Sequence, residues 1–219
     1  MPVTVLAKTP ATAADLLELI DRLGGIDPAR VRLNPPPGQA TERDLLHLLD
    51  GNEKTLCELI DGTLVEKPIG FEEDLLGTQL IQVLGPFVKA HRLGVVLGAQ
   101  APFRVIRRDV RLPDVAFIST ENWRTWKRSR PSVAGFAPDL AIEILSKSNT
   151  RAEMARKRRA YFAGGTRAVW EINPRRRTVT VYTNPISSDR LIETDTLDGG
   201  DVLPGFKLRL SELFTDPLG

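Results

Sequence analysis

A single cysteine, Cys57, and two histidines, His47 and His91, stand in a chain of 219 residues. One cysteine cannot close an internal disulfide. A secreted disulfide scaffold is therefore excluded, and a reducing, cytoplasmic setting fits better. Cys57 lies in an apolar stretch and reads as a small core residue, not a nucleophile. Neither histidine has a cysteine or a second histidine near it, so a zinc centre is not expected. No apolar run approaches the roughly 18 residues of a membrane helix. The first ten residues carry only Lys8 and no long apolar stretch, so a signal peptide is not expected. Gly164-Gly165 lacks the following Lys-Ser/Thr of a phosphate loop. Ser146 has neither a Gly-x-Ser-x-Gly elbow nor a triad histidine. Internal repeats and low-complexity segments are also missing.

What remains is an ordinary globular composition, 42% apolar and 26% charged. The length suits one domain with an extension. The net charge of +2 conceals an asymmetry: residues 1–75 balance to −7, residues 89–177 to +13 and residues 178–219 to −4. A strongly basic middle in a nearly neutral chain suggests a polyanionic partner, against the alternative of a solvated basic face.

The first 50 residues read as a helical extension. Thr12 caps a helix with Leu16, Leu17, Leu19, Ile20 and Leu23 at helical spacing, ended by Gly24-Gly25. Asn34–Gly38 reads as a linker, and Thr41 with Asp44 resembles a capping box for a second helix. Residues 51–219 read as the main domain. A β-hairpin is expected over 56–66 around Asp61-Gly62. A long helix follows over 72–91, kinked at Pro86. Strands are expected at 95–97, 103–106, 114–118, 140–145, 168–172 and 178–182. Residues 123–131 form a basic, Trp-containing loop or short helix. Another helix begins after Thr150 and stops at Gly164-Gly165. Helices alternating with strands make an α/β or α+β fold with a mixed sheet between helices.

Glu143 interrupts the apolar run Leu140-Ala-Ile-Glu-Ile-Leu145. A carboxylate in a buried strand loses several kcal/mol of hydration unless it is paired or binds a metal. Asp114, which is 29 residues earlier, opens the apolar Val115–Ile118. Two carboxylates meeting on one sheet edge would suit a hard cation such as Mg²⁺. Structural pairing is the other reading of both.

Several stretches together resemble a known family: Glu58-Leu-Ile-Asp-Gly-Thr-Leu-Val65, Leu112-Pro-Asp-Val-Ala-Phe117, Pro138-Asp-Leu-Ala-Ile-Glu-Ile-Leu-Ser146, Lys157 with Tyr161, Val169-Trp-Glu-Ile-Asn-Pro174 and Leu203-Pro-Gly-Phe206. In order and spacing they resemble the Uma family of bacterial restriction-endonuclease-like proteins, a branch of the PD-(D/E)XK nuclease superfamily. The likeness spans Leu56 to Phe214. It implies a restriction-endonuclease-like core and Mg²⁺-dependent cleavage of DNA, with Mn²⁺ as a substitute. Asp114 and Glu143 would be the metal ligands. Glu73 stands where the superfamily often has a further acid. The usual lysine, two residues after the second acid, is replaced by Leu145. Lys157 is the favoured substitute and Lys147 the other candidate.

Among the basic residues, Arg124, Lys127, Arg128, Lys147 and Arg151 are candidate DNA contacts. Trp123 and Trp126 would either stack on bases or anchor their segment. Glu58 reads as a strand residue near the site. Lys157 is expected to face inward and stay charged, with Arg156 and Arg159 toward solvent. A homodimer is expected, since cutting both strands of a duplex needs two sites. The absent motif lysine leaves open a nuclease-fold protein that binds nucleic acid or a partner without cutting, and the basic segment leaves open a module that docks on an acidic surface such as residues 1–75 of another copy.

Overall fold

The computed structural model describes residues 12–51, 55–68 and 70–215. Helix α1 (Ala13–Arg22) begins at a capping box in which Thr12 and Asp15 exchange hydrogen bonds. A single 3₁₀ turn (Pro28–Arg30) leads to α2 (Glu42–Asp50), which Thr41 and Asp44 cap in the same way. Each such cap stabilises its helix by about 1 kcal/mol. Leu19 of α1, with Leu23 and Ile26 just after it, packs against Ile60 and Val65. Gly24, at φ 94, lets the end of α1 approach the backbone of Glu153 so closely that a Cβ would lie 2.5 Å from its nitrogen.

The hairpin is β1 (Cys57–Ile60) and β2 (Thr63–Glu66). Asp61 and Gly62 both have positive φ, 48° and 73°, the tight turn that an Asp-Gly pair favours. Next come α3 (Phe71–Ala90), β3 (Gly94–Gly98), β4 (Phe103–Ile106), β5 (Asp109–Arg111) and β6 (Val115–Ser119). Pro86 does not divide α3. Strand β5 is not expected from the sequence, because two of its three residues are charged.

The basic Trp-containing segment is helix α4 (Thr120–Ser129). Strand β7 (Leu140–Ile144) leads to α5 (Arg151–Ala163), capped by Thr150 and Glu153. After it come β8 (Ala168–Asn173), β9 (Thr178–Tyr182) and β10 (Ser188–Ile192). A final unit of β11 (Thr196–Asp198), β12 (Lys207–Arg209) and α6 (Leu210–Leu213) lies in a stretch with no elements expected from the sequence.

Two sheets carry the fold. The larger has the order β10-β9-β8-β7-β6-β3, and the smaller β2-β1-β5-β4. In the larger sheet β7 and β8 are parallel and bridged by α5, while the other neighbours are antiparallel. Side chains alternate between its faces with a period of two. Val115, Phe117, Leu140, Ile142 and Ile144 meet Leu76, Leu80 and Leu84 of α3 on one face. Ala116, Ile118, Ala141 and Val169 meet Ala160 and Tyr161 of α5 and Phe103 of β4 on the other. The small sheet therefore stands on the α5 side, and buried polar groups collect between it and the large sheet. Among the described residues no helix is long and apolar enough to cross a membrane.

Candidate active site

Antiparallel pairing of Val115 with Ile142 carries, one residue further, to Asp114 opposite Glu143. Since Val115, Ile142 and Ile144 face α3, the alternation turns both acids to the opposite face, toward α5. Asp114 Oδ2 accepts the Ile144 backbone N–H at 2.7 Å, and its Oδ1 accepts from Lys67 Nζ at 2.8 Å. Lys67 directly follows β2 and also donates to the Leu112 carbonyl.

Glu143 is buried. Its Oε1 accepts from the Tyr161 hydroxyl at 2.6 Å and its Oε2 from Lys157 Nζ at 2.7 Å. Lys157 and Tyr161 are four residues apart on α5, so one helix face presents both. Lys157 is only 6% exposed, and its Nζ also lies 3.0 Å from Glu58 Oε1. Glu58 further accepts from Arg111 Nη1 at 3.0 Å and from the Leu112 N–H at 3.1 Å. Arg111 in turn lies 3.5 Å from Asp109. A buried chain of three carboxylates and two cations, Asp109–Arg111–Glu58–Lys157–Glu143, thus ties β1, β5, β7 and α5 together, with the partly exposed Asp114–Lys67 pair beside it.

The two glutamates differ in charge preference although both are buried. Burial raises Glu143 to about 7, with repulsion from Asp114 and Glu58 adding to it against the pull of Lys157 and Lys67. Burial is also the largest single influence on Glu58, but Lys157, Arg111 and Lys67 together hold it below the usual carboxylate range. Burial works against the charged form of Lys157. Glu143, Glu58 and Asp114 outweigh it, so the ammonium is held more firmly than in water.

Lys157 faces inward, as expected from the sequence. Arg156 departs from expectation: it is half-buried, with Nη2 2.6 Å from Asp61 Oδ2. Lys147 is exposed, past the end of β7. Glu73 lies in the first turn of α3, with its carboxylate folded over Gly70 at the helix start. Together with Asp114 and Lys67 it borders a cavity of about 110 Å³. The candidate DNA contacts divide. Arg124, Lys127 and Arg128 are exposed on α4, beyond the end of β6 that is remote from Asp114. Lys147 and Arg151 follow β7 at the same sheet end as Asp114. Trp123 and Trp126 stack on each other at 5.0 Å and pack on the α5-side core. Cys57 is fully buried, and burial pushes its thiol up to about 12.

Sequence reasoning missed Lys67 and Arg111. Each meets its partner across about 50 residues of chain, and no local spacing signals that.

Among the described residues no group of three or more His, Cys, Asp or Glu side chains is arranged to hold a metal. Mg²⁺ needs fewer protein ligands, typically one or two carboxylates with water and phosphate oxygens completing the shell. Asp114 and Glu143 fit that donor set. Each carboxylate oxygen keeps a second lone pair beyond its present hydrogen bond. With the Asp114–Lys67 pair included, four carboxylates face three cations, and repulsion among them adds to the burial that raises Glu143. Asp114, whose side chain is 21% exposed, is the open side of the cluster.

No curated protein matches the chain. Among solved structures, a crystal structure titled as a "putative nuclease belonging to DUF820" from Anabaena variabilis matches with a TM-score of 0.68. It shares 20% identity, over 80% of this chain and 97% of that one. At that identity the likeness shows a shared fold. Residues 43–211, from α2 to α6, match the model of the family described as "Uma2: Putative restriction endonuclease", and the chain belongs to that family.

Proposed function

We propose that this protein is a magnesium-dependent endonuclease that hydrolyses phosphodiester bonds of DNA. The observation that carries the reading is the pairing of Asp114 and Glu143 on one face of adjacent strands, each held by a lysine ammonium. Family membership supports the nuclease class. Asp114 and Glu143 would hold Mg²⁺, or Mn²⁺ with the same oxygen ligands. When bound, the ion supplies Lewis-acid polarisation of the phosphodiester and a water of lowered pKa. Cleavage adds water across a P–O bond, leaving a phosphate on one product and a hydroxyl on the other.

The chain's own residues would do the remaining work. Tyr161 and Lys157 fix the two oxygens of Glu143, so that it needs no reorganisation when charge develops. Lys67 holds Asp114 and puts a positive charge beside the cavity where a phosphate oxygen would come to lie. Glu73, across that cavity, is the further acidic group. Lys157 is buried between two glutamates and acts through them as a positioning residue. A homodimer would deliver two sites to the two strands of a duplex.

A second reading keeps the fold and nucleic-acid binding without cutting. Leu145 in place of the motif lysine favours it, as do the protein donors already on all four oxygens of Asp114 and Glu143. Supercoiled plasmid separates the two. Nicking that needs Mg²⁺ or Mn²⁺, stops with EDTA and is lost in Asp114→Asn supports the nuclease. Binding without nicking at any concentration of either ion supports the alternative.

A further inference from the structure

The face of the large sheet that carries the site does not end at Glu143. Parallel register puts Glu171 of β8 beside Glu143. Antiparallel register then puts Thr180 of β9 beside Glu171, and Arg190 of β10 beside Thr180. Asp114, Glu143, Glu171, Thr180 and Arg190 therefore form one row across the sheet. At about 4.8 Å per strand, Arg190 is roughly 14 Å from Glu143.

Glu171, Thr180 and Arg190 of that row line a groove of about 610 Å³. Six cations line it: Lys147, Arg151, Arg158, Arg175, Arg176 and Arg190. Its one acid, Glu171, is already neutralised by Arg158, with Nη1 2.5 Å from Oε1. Among the described residues the other five cations make no ion pair with any carboxylate. The cations packed around the Asp114–Glu143 pair behave differently: Lys67, Arg111, Arg156 and Lys157 are each matched to an acid. The arginine run at the β8–β9 turn is also divided. Arg175 and Arg176 line the groove, while Arg177 turns away to the Phe214 carbonyl and Glu193. Five cations without an ion pair among the described residues share one concave surface and repel one another, and a polyanion relieves that repulsion.

We propose that this groove is the track for one phosphate backbone of a DNA duplex, leading away from the Asp114–Glu143 pair along β8, β9 and β10. The inference rests on the nuclease reading and adds a direction and a set of contacts to it. The roughly 14 Å from Glu143 to Arg190 spans about four nucleotides at 3.4 Å of axial rise per strand. Phosphates a few steps from the bond to be cut thus fall among Arg175, Arg176 and Arg190. The helix α4 cations, at the other end of β6, lie off this path.

Phosphate contacts release counterions, so the test is the salt dependence of binding. Anisotropy of a fluorescein-labelled duplex, without divalent metal, is measured between about 50 and 200 mM salt. The plot of log K against log salt falls with a slope of about −0.9 per phosphate contact. The triple variant Arg175→Gln/Arg176→Gln/Arg190→Gln is expected to flatten the slope by about 2–3. The control Arg124→Gln/Lys127→Gln/Arg128→Gln is expected to keep the wild-type slope. All six side chains are exposed or line an open groove, so circular dichroism should show both variants folded. A groove variant with the wild-type slope overturns the track, while the wild-type binding itself leaves the nucleic-acid reading standing. A loss of slope in the α4 variant alone moves the track to α4. A wild-type protein that does not bind the duplex overturns the track and the nuclease reading together.

Discussion

Lys157 and Glu143 come from a helix and a strand, and Nζ meets Oε2 at 2.7 Å with both side chains almost wholly buried. The same ammonium reaches Glu58 on the small sheet. One lysine therefore joins the two sheets at the candidate site.

Removing that charge leaves two buried glutamates without their common partner. Breaking a buried ion pair from one side costs about 3–5 kcal/mol. Lys157→Met is therefore expected to lower the urea unfolding midpoint markedly, and to abolish cleavage under conditions where it remains folded. Lys147 is exposed and touches none of this, so Lys147→Ala should stay within about 0.5 kcal/mol of wild type and retain cleavage. The reverse pattern in the two variants would make Lys147 the working lysine.

Glu143 gives the metal-free protein a pH signature. Its folded value of about 7 lies above the ordinary 4.5, so between those values the native state binds more protons than the unfolded chain. Stability from this group is then full below about 4.5 and falls as pH rises through 7. Glu58, shifted down, acts oppositely and only in more acid solution. Urea midpoints at pH 5.5 and 8 should differ in wild type, with the lower stability at pH 8, and the difference should shrink in Glu143→Gln. An unchanged difference in that variant would assign the dependence to another group.

Gly24 bears on the site from a distance. Its φ of 94° and the 2.5 Å approach of a Cβ to Glu153 leave no room for a side chain against the start of α5. Gly24→Ala is expected to destabilise by more than about 1 kcal/mol. Thermal melting reads the effect, and a melting temperature equal to wild type would mean that the α1–α5 contact yields freely.

Much of this architecture is legible in the sequence where the signal is local. The Thr12, Thr41 and Thr150 caps, the Asp61-Gly62 turn and the alternation around Asp114 and Glu143 each depend on residues within a few positions of one another. Strand β5 is hidden because Asp109 and Arg111 look like surface residues. Their burial is met by distant partners, Glu58 for Arg111, 53 residues away, and the Asp61 N–H for Asp109. Lys67 is hidden for the same reason. Strand β10 is short and mostly exposed, so it shows no period to read. Its Arg190 becomes informative only through its register with Thr180.

Cys57 provides a separate check on the small sheet. It is fully buried and its thiol is pushed up to about 12, so little thiolate exists near neutral pH. A thiol reagent at pH 8 should label it only after denaturation. Rapid labelling of the native protein would show that β1 and its cover of α2 open readily.

On the proposed reading Asp114 and Glu143 share one divalent cation. Titration with Mn²⁺, followed by its electron paramagnetic resonance signal, tests this without requiring cleavage. The expected result is one bound ion per chain in wild type, with affinity reduced at least tenfold in both Asp114→Asn and Glu143→Gln. Wild-type affinity in either variant, or no binding by the wild-type protein, would contradict the claim.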